Sequence, residues 1–414
     1  MKILILNTSE RVGGAAVAAN RLMCALNKAG HEVKMLVRDK QTSDINVVSV
    51  NTWWGRKKMN FIRFVWERFI ILTCNRFSKK NLFAVSIANT GINISKHHLV
   101  KEADIIHLHW VNQGFLSLKN IRQLTKLNKP LVWTMHDMWP CTGICHHART
   151  CNHYGQQCGN CFFLHNSSKK DISAVIFHRK QQYYQLSNIS FVTCSEWLNK
   201  QAKNSALLLG KQITTIHNPI DTKVFTSFDK IFSRKKLGLT IDKKLILFSA
   251  VNLSDYRKGF NYLAEAVQLL DGNNVELLLL GNIKTPLPEL PLKVNHITFV
   301  SNEAEMAMIY SAADIYVTPS LEENLPNTIM EAMACGTPCV GFNTGGIPEM
   351  IDHKVNGYVA AYQSVEDLAA GIRWVLSEAD YTSLSDKAIE KVKSYYSEWI
   401  IAGEYIDLYK NLCK

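Results

Sequence analysis

No run of eighteen uncharged apolar residues occurs in the 414-residue chain, so nothing in it reads as a membrane-spanning helix. A secretory leader is also missing, because Lys2 is followed at once by a short apolar strand and a Gly-Gly turn rather than a long apolar core with a cleavage site. The expected address is cytoplasmic, with the inner face of a membrane as a further one. Neither end has the composition of a disordered tail, and 47% hydrophobic with 20% charged residues are globular values. Acid is scarce: 35 Asp and Glu against 47 Lys and Arg leave a net charge of +12. Such a surface draws phosphates, nucleic acid or anionic lipid alike, so the charge by itself selects no partner. The deficit is local. Between residues 51 and 80, Glu67 stands alone against Arg56, Lys57, Lys58, Arg63, Arg68, Arg76, Lys79 and Lys80, a net of +7.

At ~100–200 residues per domain, the length suggests two domains, each able to bury a core. The apolar run Lys2 to Asn7, the turn to Gly14, a helix-forming Ala15 to Ala29 stopped by Gly30, and the strand Glu32 to Val37 make a βαβ unit. Its sheet should be parallel, with ligand at the carboxyl ends of the strands. Further strands are expected at Asp104 to Trp110, Leu131 to Met135, Phe191 to Cys194 and Thr214 to His217. After Asn218-Pro219-Ile220-Asp221 and a basic segment, the rhythm restarts with strands at Leu245 to Ala250, Val275 to Leu280, His296 to Val300, Asp314 to Thr318 and Pro338 to Gly341. The reading is an α/β protein with two consecutive parallel sheets, which implies a cleft between them.

Several turns carry chemistry-bearing residues. Gly13-Gly14 lies between strand and helix, where bare backbone lets a phosphate or sugar approach; the third glycine of the dinucleotide fingerprint is absent. Arg257-Lys258-Gly259 follows the first strand of the second half, and a guanidinium fork beside an ammonium suits a diphosphate. Thr344-Gly345-Gly346 repeats the glycine turn, with Pro348 opening a helix. His136 ends a strand, where a histidine can position a hydroxyl or shuttle a proton, while His107 and His109 alternate onto one face as packing or cleft lining. Strand Asp314 to Thr318 leads into an acidic loop and a helix whose first turn would hold Pro326, placing Glu323 near the mouth and Glu331 about two turns inside.

Glu323 and Glu331 with seven residues between them, then Gly336-Thr337-Pro338, resemble the donor-site signature of retaining glycosyltransferases of the family 4 type, as found in bacterial polysaccharide assembly. Gly13-Gly14, His136, Arg257-Lys258-Gly259 and Thr344 to Glu349 fall in that family's order over most of the chain. The resemblance implies a GT-B fold of two Rossmann-like domains: 1–218 on the acceptor side with a Cys-rich insertion near 141–161, 219–394 for the donor, and 395–414 crossing back to the first. It implies a retaining hexosyltransferase that moves a sugar from a nucleotide sugar to a glycan or lipid-linked saccharide. Gly13 and Gly14 would meet the donor's diphosphate or the acceptor, Thr344, Gly345 and Gly346 the phosphates and sugar hydroxyls, and Glu331 the ribose. The transition state needs negative charge near the ring, from Glu323, and positive charge at the leaving phosphate, from Arg257 and Lys258. His136 and Glu323 are the catalytic candidates, and no cofactor is required.

Cys145, Cys151, Cys158 and Cys161 could complete a four-thiolate site around a structural zinc, with free thiols and a disulfide as alternatives. The helical stretch Met59 to Leu72, inside the basic segment 56–80, either packs on its own domain or lies on an anionic bilayer with its basic residues toward the headgroups. Two rivals remain at this stage: a non-hydrolysing nucleotide-sugar epimerase, and a basic zinc-stabilised protein that binds nucleic acid.

Overall fold

The computed structural model describes residues 1–51, 54–270, 274–300 and 302–414, with only the backbone of Trp54. The chain divides into two compact units, residues 1–217 with 401–414, and residues 218–400.

The first unit holds β1 (Lys2–Ser9), β2 (Glu32–Asp39), β3 (Val47–Ser49), β4 (Ile105–Leu108), β5 (Leu131–Met135), β6 (Ile189–Thr193) and β7 (Ile213–Thr215). They form one parallel sheet in the order β3-β2-β1-β4-β5-β6-β7. Strands covered on both faces must be apolar throughout, and Ile3 to Leu6 and Leu131 to Met135 are buried without alternation. Helix α1 (Gly14–Lys28) covers one face through Ala19, Leu22, Met23 and Leu26. The order reverses between β1 and β4, so the loops leaving these two strands diverge and open a crevice at their carboxyl ends.

The second unit repeats the plan with β8 (Lys244–Asn252), β9 (Val275–Asn282), β10 (Lys293–Ile297), β11 (Ile315–Thr318), β12 (Cys339–Phe342) and β13 (Gly357–Ala360). All are parallel, in the order β10-β9-β8-β11-β12-β13. The reversal falls between β8 and β11. Strand β10 lies three residues earlier than the apolar run His296 to Val300 suggested. Its polar sequence is held because the buried carboxylate of Glu276 on β9 accepts from Asn295 Nδ2 at 2.9 Å and pairs with Lys293 at 3.3 Å. The short strands β3 and β13 were not expected.

Helix α2 (Trp54–Cys74) buries Asn60, Glu67 and Arg68 together with Ile71. Glu67, with no exposure, accepts from the Ile87 and Ala88 amides at 2.9 Å each, and Arg68 Nη1 donates to the Leu82 and Val85 carbonyls at 2.6 and 2.9 Å. These bonds cap a non-regular backbone stretch, 82–88, whose polar groups would otherwise be stranded.

The helix Glu398–Leu412 joins the first unit from Ile401, later than the 395 expected. Ile401, Ala402, Tyr405 and Tyr409 enter the same core as Leu22, Met23 and Leu26. Tyr409 Oη also meets His107 Nδ1 at 2.7 Å. Tyr409→Phe should lower the unfolding free energy by about 1 kcal/mol, and Tyr409→Ala by about 3–5 kcal/mol, in urea titrations followed by circular dichroism.

Candidate active site

In the second unit, three loops meet at the carboxyl ends of β8, β11 and β12. The loop after β8 turns through Tyr256–Lys258 and reaches Gly259 at φ +71°, where a Cβ would overlap the Pro319 carbonyl. Leu321 N donates back to the Arg257 carbonyl at 2.7 Å. The loop after β12 places Gly345 at φ +57°, where a Cβ would overlap the Glu323 carbonyl, and Gly346 N donates to the Asn324 carbonyl at 2.7 Å. Arg257, Lys258, Glu323, Thr344, Gly345 and Gly346 are thereby gathered in one place by backbone contacts.

Their charges are arranged as a relay of pairs. Lys258 Nζ is ion-paired with Glu323 Oε1. Arg257 reaches Asp255 twice, Nε to Oδ1 at 3.1 Å and Nη2 to Oδ2 at 2.7 Å. Burial works against the charge of Asp255, but the hydrogen bond and charge of Arg257 outweigh it and hold the carboxyl below its usual range. Arg257 keeps half its side-chain surface in solvent.

Glu331 is placed differently from expectation. The helix runs Asn327–Ala334 with Pro326 as its cap, so Glu331 lies one turn in rather than two, and Glu323 belongs to the preceding loop. At 6% exposure its Oε2 accepts from Tyr310 Oη at 2.9 Å. Glu331 is therefore held within the second unit by Tyr310.

The crevice of the first unit is a cavity of about 540 Å³, lined by Asn7, Thr8, Gly13, Gly14, Arg38, Trp110 and His136 among others. Gly13 stands at φ +93° as the residue before α1. Asp137, also in the lining, accepts from Trp110 Nε1 through Oδ2 at 2.9 Å and meets His146 Nδ1 at 2.7 Å. Burial opposes the charge on Asp137, yet the charge and hydrogen bond of His146 bring its pKa down to about 2. Asp137, Trp110 and Arg38 were not singled out from sequence; the one available signal was the run His136-Asp137 at a strand end.

His136 Nε2 meets His109 Nδ1 at 2.8 Å, and the His109 ring lies tilted against His107 with ring centroids 4.2 Å apart. His107 Nε2 bonds Thr134 Oγ1 at 2.7 Å, which bonds Tyr405 Oη at 2.8 Å. Burial lowers His107 to about 3 and His136 to about 4, and takes His109 well below its ordinary value. His136 is thus a neutral imidazole at pH 7, able to donate or accept one hydrogen bond but not to present a cation.

The four cysteines do converge. Cys145, Cys151, Cys158 and Cys161 line one cavity of about 20 Å³ with His153, and Gly143 N donates to Cys158 Sγ at 3.3 Å. All are free thiols, and burial raises Cys158 to about 12 and Cys161 to about 11. Among the described residues no group of three or more His, Cys, Asp or Glu stands in metal-holding geometry. The loop is instead held by Lys180, whose Nζ donates to the Trp139 and Thr142 carbonyls at 2.5 and 3.0 Å.

Comparison with known proteins decides the family. Residues 12–224, just over half of the chain, match the model for Glycosyltransferase Family 4, and residues 243–378 match that for Glycosyl transferases group 1. The chain belongs to glycosyltransferase family 4. An uncharacterized glycosyltransferase of Methanocaldococcus jannaschii is 26% identical over 96% of this chain and 94% of its own. Sucrose-phosphate synthase of Thermosynechococcus elongatus shares the fold with TM-score 0.69 at 18% identity, covering 100% of this chain and 99% of that one. The Anabaena protein HepE, solved in complex with UDP-glucose, does so with TM-score 0.62 at 16% identity, covering 99% and 100%. The two parallel-sheet units are those of a GT-B glycosyltransferase, and membership sets aside the epimerase and nucleic-acid readings.

Two measurements check the site. Each buried histidine binds its proton more weakly folded than unfolded, so stability is complete above the unfolded pKa of ~6.5 and is lost as pH falls through it, by up to ~1.4 kcal/mol per pH unit per residue. Thermal melts should decline between pH 6.5 and 4, less steeply in His107→Gln. Gly345→Ala should cost about 1–3 kcal/mol in stability and reduce glycosyl transfer, because the left-handed backbone and the Glu323 carbonyl both resist a Cβ.

Proposed function

We propose that this glycosyltransferase moves a hexose from a nucleotide-sugar donor to a glycan or lipid-linked saccharide, with retention of anomeric configuration, in bacterial surface polysaccharide biosynthesis. The observation that carries the donor reading is the meeting of Lys258, Arg257, Glu323 and the Thr344–Gly346 turn at the strand-order reversal of the second unit. Cleavage of a glycosyl phosphate separates charge: the ring becomes cationic and the leaving diphosphate gains negative charge. An ammonium and a guanidinium answer the second change, and a carboxylate one ion pair away answers the first. In the absence of donor, the Lys258–Glu323 pair holds the two side chains at the site and offsets the cost of their partial burial. The glycine turn adds bare backbone with no side chain between it and a phosphate.

The acceptor reading rests on the 540 Å³ crevice of the first unit, whose lining combines an aromatic face, Trp110, with hydrogen-bonding groups of Asn7, Arg38 and the neutral His136, as a saccharide requires. His136 would orient an acceptor hydroxyl, and the leaving phosphate itself would take the proton. UDP sugars are the donors to try first, since HepE was solved with one.

The test is transfer from a panel of UDP and GDP sugars to saccharide acceptors, with the product's anomeric configuration read by NMR. Glu323→Gln should lower kcat at least about a hundredfold with the fold intact, and Arg257→Ala should raise donor KM. Turnover in Glu323→Gln equal to that of the parent would remove the site assignment, and an inverted product would remove the retaining one.

A further inference from the structure

Helix α2 is built inside out. Beside Ile71 the residues it buries are polar, Asn60, Glu67 and Arg68, while Phe61 (65%), Ile62, Val65, Trp66 (51%) and Phe69 (46%) stand exposed. These five recur at intervals of one to four residues and fall on one side of the helix, opposite Glu67 and Ile71. Its flanks are basic: Arg56, Lys57 and Lys58 are exposed at one end, and Arg76, Lys79 and Lys80 just beyond the other. The one acid in the segment, Glu67, is consumed in the interior by the Ile87 and Ala88 amides. The exposed face is thus an aromatic strip between two cationic ends, with no carboxylate on it.

We propose that this face of α2 docks on an anionic lipid bilayer, with Phe61, Trp66 and Phe69 entering the acyl boundary and the two basic ends against phosphate headgroups. The charge selects this occupant. A second copy of the chain in a two-fold interface would set cationic ends against cationic ends or against bare aromatics, with nothing of opposite sign to meet them. Headgroup phosphates supply that sign along the whole length, and aromatic rings favour the boundary where one side is apolar and the other wet. This face stands apart from the donor chemistry, since no residue of the proposed transfer site lies on it. It does bear on the acceptor: Gly114, at φ +82°, lets the loop after β4 press on α2, where a Cβ would stand 3.0 Å from the Phe64 amide nitrogen. Gln113, next to it, lines the crevice of the first unit. A docked α2 would hold that crevice close to the bilayer surface, where a lipid-linked saccharide presents its sugar.

The experiment is co-sedimentation of the full chain with vesicles of phosphatidylglycerol and phosphatidylcholine, or of phosphatidylcholine alone, with transfer to a soluble acceptor assayed in parallel. The parent protein should pellet with the anionic vesicles, and much less with the zwitterionic ones or at high salt. The double variant Trp66→Ser, Phe69→Ser and the triple variant Arg56→Glu, Lys57→Glu, Lys58→Glu should each lose roughly tenfold in binding while melting like the parent and transferring to the soluble acceptor at the parent's rate. A parent that stays in the supernatant with anionic vesicles overturns the proposal. So does a parent that sediments as a dimer which the Trp66→Ser, Phe69→Ser change dissociates, since the strip would then cover a second copy. Loss of transfer with vesicle binding intact would overturn the function reading and leave this surface standing.

Discussion

The carbonyl oxygens of Pro319 and Glu323 set how the loops of the second unit are assembled. Each lies where the Cβ of a facing residue would be, and each faces a glycine in the left-handed region, Gly259 and Gly345. Because the loops after β8 and β12 both close on the loop after β11 in this way, a lysine from one loop and a carboxylate from another become a bonded pair. The charges therefore depend on the backbone, and the backbone depends on two missing side chains. This is an economy of the strand-order reversal: loops leaving adjacent strands in opposite directions must be drawn back together before they can serve one ligand.

The first unit solves the opposite problem, that of keeping polar side chains within a core. Tyr409, His107, Thr134 and Tyr405 form an interior chain of hydrogen bonds, and His109 extends it by its ring contact with His107 and its bond to His136. Desolvation keeps these imidazoles neutral, which is the state in which a histidine can both donate and accept. His136 at the crevice is thus the exposed end of a buried network, and its ring orientation is fixed from behind. Lys180 applies the same principle to the cysteine-bearing loop: burial draws its pKa down to about 7 while two carbonyls hold its ammonium.

Much of this was legible in the residues. Two runs of apolar strands separated by glycine turns specify two parallel sheets, because parallel strands covered on both faces leave no other pattern, and the motifs at their carboxyl ends gave the family. What escaped was decided by partners distant in sequence. Strand β10 owes its place to Glu276, and α2 presents its apolar side because the 82–88 stretch needs Glu67 and Arg68. Periodicity identifies a helix and its two faces but not which of them meets the core, and in α2 the usual assumption inverts. The cysteine spacing likewise predicted that four thiols would meet.

The chain's path through the two units has a consequence for how the molecule is made. The first unit begins at Met1, is interrupted after His217, and recruits Ile401, Ala402, Tyr405 and Tyr409 to the core around Leu22 and Met23. On the ribosome, that core waits with an open apolar side, and with His107 lacking its tyrosine partner, until the whole intervening unit has been synthesised. The second unit has every segment it needs before then, so the order of translation and the order of completed folding are reversed.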